Sequence, residues 1–430
     1  MYDVYVAQLG NTTYAVRSNG RVISKVGVGL DCARLIKSAV DAVPVGGSLG
    51  IKRGTYVVTA PYALPLDPDG SNMFFTGFPI VNKFINVYGS TTGETIIKLA
   101  PGQRSASRHV ALMLVRSKGP FAPGYDNFTI SDITFDCNRS SQGAGIPHDG
   151  EGAILVGSSR TNGNYLRLKF INSHGCGLYL GNNGSGVGVN EKVDSCYARN
   201  CGGAGIMLDT CKDSSVTNCS AYNCREGLYL WGNDDYKTRA RDNVSVDKFV
   251  TDSQVIVGQV NDFVLNNIDM NCSRANNAYG LAIRDATGRI TKSRFVNDKN
   301  KANSLGGATY IYEASRVTFD DCELEGYFGL HAIGRSQVIA ENCRLSAPGA
   351  CYCTTDPDPV SSKIVVKNCT WSGNKSVIQA GSSLVVDGAE WHTINLTNNV
   401  AYKYYAIKCV NNHGAANNIG LRRVEFQKLE

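Results

Sequence analysis

Charge is scarce in this chain. Only 19% of its 430 residues are Asp, Glu, Lys or Arg, and the formal net charge is +6. So mild a balance on so long a chain does not point to a nucleic-acid partner. No run of about 18 apolar residues occurs, so no segment reads as a membrane-spanning helix. There is no strict glycine period, which excludes collagen, and too little Glu, Lys and Leu for a coiled coil. With 43% hydrophobic residues the chain is not disordered either. What abounds is Gly, 46 residues against 12 Pro, with many Asn and Ser and 15 Cys. A chain this long buries roughly 75% of its unfolded surface, so those cysteines are not needed as staples. Low charge with Gly, Asn and Ser points to many short strands joined by tight turns.

The sequence begins Met1-Tyr2-Asp3-Val4, with no basic stretch followed by an apolar one. Three settings are compatible with this: the cytoplasm, secretion with the leader already removed, or a virion component assembled inside a host.

From about residue 127 the chain repeats itself. One phrase places Asn, Asp or Ser directly before Cys, at Asp136-Cys137, Ser195-Cys196, Asn218-Cys219, Asn271-Cys272, Asp321-Cys322, Asn342-Cys343 and Asn368-Cys369. From Cys196 on it recurs every 21 to 26 residues or at about twice that interval, with Phe249 and Phe295 expected in the Cys place of skipped turns. A second phrase is Gly followed by alternating apolar residues, as in Gly177-Leu-Tyr-Leu, Gly205-Ile-Met-Leu, Gly227-Leu-Tyr-Leu and Gly280-Leu-Ala-Ile. Alternation of period two over four to six residues is strand, not helix. Two or three short strands per turn of about 25 residues make a β-solenoid. Stacking at about 4.8 Å then sets equivalent residues above one another. The Cys series becomes an internal ladder of small buried thiols. The residue before each Cys falls at a bend, where Asn tolerates a left-handed backbone. Cys32 and Cys409 lie outside the ladder and are the disulfide candidates. No second Cys or His pair follows Cys351-Tyr-Cys353 at a zinc spacing, so no metal is expected.

Ahead of the repeat, residues 1–26 read as a small hairpin unit with its turn at Ser18-Asn19-Gly20. Residues 30–43 carry Cys32, Leu35, Ile36, Val40 and Val43 at helical spacing, an amphipathic unit able to cover an open solenoid end. Val45-Gly46-Gly47-Ser48-Leu49-Gly50-Ile51 then leads to Gly54-Thr55-Tyr56. This stretch, with Ile133-Thr134-Phe135-Asp136-Cys137-Asn138, resembles the entry segment and the first turn of the pectate-lyase-like superfamily, tailspike-type polysaccharide depolymerases included. The resemblance implies an all-β fold, a right-handed, single-stranded parallel β-helix with an N-terminal capping helix. Residues 1–60 are expected to form the hairpin and helix, 61–397 about ten or more coils, and 398–430 a C-terminal cap or oligomer contact.

Such a fold hosts lyases, hydrolases, epimerases, tailspikes and inert adhesins, so chemistry must be sought in outward columns. One column is read as Ile154, Tyr179, Met207, Tyr229, Ala282 and His331; the next is Gly181, Asp209, Trp231 and Arg284, with Glu313 and Arg335 nearby. Asp234 and Asp235 follow in the loop after Trp231. Aromatic faces cover the apolar faces of sugar rings, while acids and Arg bond hydroxyls or carboxylates. Tyr179, Tyr229, Trp231, Arg284, His331 and Arg335 are thus the substrate-binding candidates. Asp209 with Asp234 or Asp235 fits the carboxyl pair of a glycoside hydrolase, and Glu313 is a further acid. A lyase would use Lys237, Arg241 or Arg284 as base, with the Asp cluster holding Ca²⁺; a hydrolase requires no cofactor. A rival site is Pro147-His148-Asp149-Gly150-Glu151, with His174 one coil on and Glu226 beyond. It resembles part of the Asp-Pro-His-Asp signature of alginate C5-epimerases, with Ile146 in the first place, which makes His148 and Asp149 acid–base candidates.

The expected activity is depolymerisation of a cell-surface or cell-wall polysaccharide by hydrolysis or elimination. The alternatives are a glycan-binding adhesive spike without catalysis, and a uronan C5-epimerase. Each places the chain outside a cell or on a virion, with a glycan partner and, for a spike, a homotrimer.

Overall fold

The computed structural model describes residues 2–65, 73–81, 83–105, 108–116, 126–143, 152–157, 161–181, 188–232, 242–272, 279–297, 306–347, 350–354, 362–373, 376–378, 383–386 and 389–392. Short strands wind into stacked coils. Each coil gives one strand to an outer sheet, here sheet 2, and the rest of its strand residues to sheet 1, which turns a corner. Glu226–Trp231 lies in sheet 2, Ser245–Thr251 in sheet 1, Gln254–Gly258 in sheet 2 and Asn261–Asn271 in sheet 1. Successive sheet 2 strands pair in parallel from Met73–Val81 through Ser376–Ile378, as a β-helix requires.

The N-terminal unit differs, as the loss of the repeat there implies. Val4–Leu9, Thr12–Arg17 and Val22–Gly27 form an antiparallel sheet. Its first strand also pairs in parallel with Ser48–Ile51, which splices the unit onto the first coil. The expected helix spans Ala33–Ala42 and buries Ala33, Leu35, Ile36, Ala39 and Val40. Asp31 fastens its start: Oδ1 accepts the Ala33 and Thr59 N–H groups, both at 2.9 Å. Lys83 Nζ satisfies its last carbonyls, donating to Val40 O at 2.8 Å and Asp41 O at 3.0 Å.

The corner of sheet 1 explains the first repeated phrase. Asp132, Arg167, Ser195, Asn218, Lys248, Asn267, Lys292, Asp321, Asn342 and Asn368 all have φ between +47° and +62°. This left-handed region is least costly for Gly, Asn and Asp. The next residue of each corner points inward, giving one column that contains Cys196, Cys219, Phe249, Ile268, Ser293, Cys322, Cys343 and Cys369. Phe249 does stand in a Cys place. Phe295 does not: Ser293 occupies that rung, and Phe295 pairs two residues further along.

The Cys phrase also splits into two columns rather than one. Cys137 lies at the following bend, level with Asn172 two residues past the aligned Phe135 and Phe170, and Ser173, Cys201 and Cys224 stand one residue further along that bend. There Asn172, Asn200 and Asn223 form an amide ladder. Asn172 donates to Asp136 at 3.0 Å, Asn200 to Asn172 at 3.0 Å and Asn223 to Asn200 at 2.6 Å. The twelve cysteines whose side chains are described, Cys32 included, form no disulfide. Cys409 lies outside the described residues, as does the whole expected C-terminal cap.

The interior is one continuous apolar column in which Phe135, Phe170, Phe249, Phe263, Phe295 and Phe319 are fully buried. Truncating one of these rings leaves a cavity that neighbouring rungs cannot close. Phe249→Ala is expected to cost about 3–5 kcal/mol of stability, and Val250→Ala, on the exposed side of the same strand, under about 1 kcal/mol. Urea denaturation of the two variants measures the difference.

Candidate functional site

Sheet 2 presents the outward columns. Leu228 and Leu230 point into the core, so Tyr229 and Trp231 point out. Register sets Tyr179, Met207, Tyr229, Ile256, Ala282 and Tyr310 on one outward column. Asp209, Trp231, Gly258, Arg284 and Tyr312 form the column beside it, at the strand ends. Ile154 does not belong to the first of these. It aligns with Leu178, is fully buried, and Leu155 holds the register of Tyr179. The Gly-based count is off by one there, because Gly152 pairs with Cys176 and not with Gly177.

Two rings lie flat because the column contains glycine. A Cβ at Gly181 would sit 2.3 Å from the Tyr179 ring, and one at Gly258 would sit 2.1 Å from the Trp231 ring. Neither glycine has a positive φ, so space alone requires it. Tyr179, folded over Gly181, donates its hydroxyl to Asp209 Oδ2 at 2.7 Å, while Thr210 Oγ1 donates to Oδ1 at 3.0 Å. Trp231, folded over Gly258, stacks on Tyr229 with centroids 5.5 Å apart and planes 26° apart. A hydrogen-bonded carboxylate thus borders a two-ring platform.

Beyond Trp231 the face continues through Arg284. Its guanidinium lies 5.8 Å from the Trp231 ring centre and 6.0 Å from that of Tyr312. Its Nε donates to Glu313 Oε2 at 2.7 Å, a bond that raises the Arg284 pKa further. Tyr312 is 4.8 Å from Tyr310, which stacks on Tyr279 at 4.4 Å. His331 closes this second cluster, 5.2 Å from Tyr310 and 5.1 Å from Phe328, with Nδ1 3.2 Å from the Tyr279 hydroxyl. Burial lowers its pKa to about 4, so its imidazole is neutral at neutral pH.

The structure therefore places Tyr179, Asp209, Tyr229, Trp231, Arg284, Glu313 and His331 on one face. Asp209 and Glu313 are not a pair: four rungs of about 4.8 Å, roughly 19 Å, separate their strands. Arg335 is exposed at the next corner after Glu313, with φ +66°. Asp234, Asp235, His148 and Asp149 lie outside the described residues. Of the rest of the rival site, His174 Nε2 is 3.2 Å from Arg139 O, and Glu226 is buried against Arg225 at 2.7 Å. Tyr279, Tyr310, Tyr312 and Phe328 were not anticipated. The signal was present in Gly307-Ala-Thr-Tyr-Ile-Tyr, which repeats the Gly-plus-alternation phrase with both outward positions aromatic. Among the described residues no three His, Cys, Asp or Glu side chains cluster to hold a metal ion.

The profile of the family described as "Right handed beta helix region" matches residues 115–245 and 255–422. No curated protein matches the sequence. Among solved structures, the A-module of Azotobacter vinelandii mannuronan C-5 epimerase AlgE4 is similar at 15% identity and TM-score 0.53, over 83% of this chain and 96% of that one. The AlgE6 A-module of the same organism gives 15% and 0.50, over 83% and 95%. Tailspike protein 3 of bacteriophage CBA120 gives 11% and 0.49, over 88% and 62%. At such identities the likeness is one of fold.

Two expectations follow from the geometry. Gly258→Val removes the space under Trp231 and should abolish the Tyr229–Trp231 stack, seen as lost near-ultraviolet circular dichroism with far-ultraviolet signal retained. His331 has its folded pKa below the ordinary 6.5, so the unfolded chain takes up the proton first. Its contribution is complete above about pH 6.5 and is lost as pH falls towards about 4, by up to roughly 3 kcal/mol. Denaturation midpoints at pH 7 and 4.5 should converge in His331→Gln relative to the unaltered chain.

Proposed function

Because the chain belongs to the right-handed β-helix family, we propose that its stacked outer face holds a polysaccharide along sheet 2 and that the chain depolymerises it. The observation that carries this reading is the juxtaposition at the Asp209 end. Two aromatic rings, Tyr179 and Trp231, are laid flat over glycines on either side of a carboxylate held by two hydroxyls. Flat rings suit the apolar faces of pyranoses, and an oriented carboxylate at the platform edge suits proton transfer at the glycosidic oxygen. The face runs over seven strands, from Cys176–Gly181 to Phe328–Ala332, or roughly 29 Å at about 4.8 Å per rung. That length fits a polymer better than a single sugar.

In this reading Asp209 is the acid–base residue, and Tyr229, Trp231, Arg284, Tyr310 and Tyr312 bind sugar units. A hydrolase needs a second carboxyl about 5–9.5 Å from Asp209. Glu313 stands too far along the stack, so that role falls to Asp234 or Asp235. Such a protein works outside a cell or on a virion, where the polymer is.

The test is release of new reducing ends from a panel of neutral and uronate polysaccharides. Asp209→Asn should lower kcat by about 10²–10⁴-fold while leaving polymer binding intact. Full cleavage by both Asp209→Asn and Asp234→Asn, with loss in His148→Ala, would move the chemistry to the strand-start site. Binding without cleavage of any polymer would make the chain an adhesin.

A further inference from the structure

Resting on the reading above, we propose that the outer face of sheet 2 selects an uncharged polysaccharide and rejects uronate polymers. The charges along that face decide it. A uronate sugar brings one carboxylate per residue, and each must meet a cation or a strong donor as it leaves water. Arg284 is the described cation that lies over the aromatic platform, between Trp231 and Tyr312. Its Nε is already bonded to the Glu313 carboxylate at 2.7 Å. That pairing is built into the fold, since Glu313 follows Tyr312 directly and Tyr312 is in register with Arg284.

Of the other described ionisable groups on this face, Arg335 adds one positive charge at the corner beyond Glu313, and the rest add none. Asp209 is a carboxylate at the start of the platform, bonded to Tyr179 and Thr210. Asp285 directly follows Arg284 at the same corner, and its backbone N–H bonds to Tyr312 O. Burial and then the neighbouring Glu313 charge raise the Asp285 pKa, so the two acids feel each other across adjacent rungs. His331 is neutral at neutral pH, because burial among Tyr279, Tyr310 and Phe328 disfavours its charged form. Glu226, at the strand start, is matched by Arg225. The described face is therefore aromatic with a slight negative excess. A polyanion laid along it meets Asp209 at one end and Glu313 four rungs on, whereas an uncharged polymer meets rings and hydrogen-bonding groups. Arg284 serves as the lid of the Trp231–Tyr312 gap and as a hydroxyl donor, not as a carboxylate receptor.

The experiment is affinity electrophoresis of the full chain at low ionic strength. Dextran, laminarin and galactomannan are set against alginate and polygalacturonate of matched length. At least one neutral polymer should retard the chain at a concentration tenfold or more below that needed for either uronate, as roughly 1.4 kcal/mol of discrimination would give. Glu313→Gln releases Arg284, and should shift the uronate-to-neutral affinity ratio towards uronate by roughly three- to tenfold. Equal or tighter retention by a uronate polymer, or release of unsaturated uronate ends, overturns the inference while leaving a polysaccharide function in place. An unchanged ratio in Glu313→Gln also overturns it, because exclusion would not come from this ion pair. Retardation by no polymer of either charge, with the chain folded, defeats the functional reading itself.

Discussion

Everything in this molecule depends on parallel strands stacking in register at about 4.8 Å. One coil cannot bury its own apolar side; it is stable only against the coil above and the coil below. Register therefore has to survive every bend. The corner of sheet 1 keeps it by placing one residue per coil at positive φ, from Asp132 to Asn368. The side chain after each such residue turns into the core, where Cys, Phe, Ile or Ser fills the space left by the rungs on either side. Asn172, Asn200 and Asn223 secure the next bend by bonding to one another along the axis.

The same register builds the outer face. Residues more than 100 positions apart in the chain, such as Asp209 and Tyr312, enter one straight column because each strand end sits above the last. A column also makes empty places useful. Gly181 and Gly258 carry no side chain, so the Tyr179 ring folds down over the end of its own strand and the Trp231 ring over the adjacent rung. For Trp231, flatness comes from what the neighbouring coil lacks. Arg284 gains Trp231 from two rungs to one side, across Gly258, and Tyr312 with the Glu313 partner from one rung to the other.

The solenoid was legible because its two phrases are enforced by physics: αL-tolerant residues before a small buried one, and Gly before alternating apolar residues. The capping helix was legible from Leu35, Ile36 and Val40, whose spacing matches one buried face. Fine register was not. Counting from Gly put Ile154 outside, when the strand is shifted by one and its side chain is in the core. Two bends that both place a polar residue before Cys read as a single ladder, because sequence shows the dipeptide and not which corner it turns. Tyr279, Tyr310 and Tyr312 escaped for a related reason. Gly307 begins a coil whose preceding bend lacks Cys, Ser293 standing there, so the repeat seemed to skip. The flatness of Trp231 had no sequence signal of its own; it required knowing that Gly258 is the residue one rung away.

The central claim is that a polysaccharide lies on the Trp231 platform. The chain has three tryptophans, Trp231, Trp371 and Trp391. A Trp371→Phe, Trp391→Phe protein therefore reports from Trp231 alone. Titrating it with a polymer that retards the chain should give a saturable change in fluorescence intensity and wavelength, with a midpoint equal to that of retardation. Retardation with an unaltered Trp231 spectrum would contradict the account, because the polymer would then be bound elsewhere on the molecule.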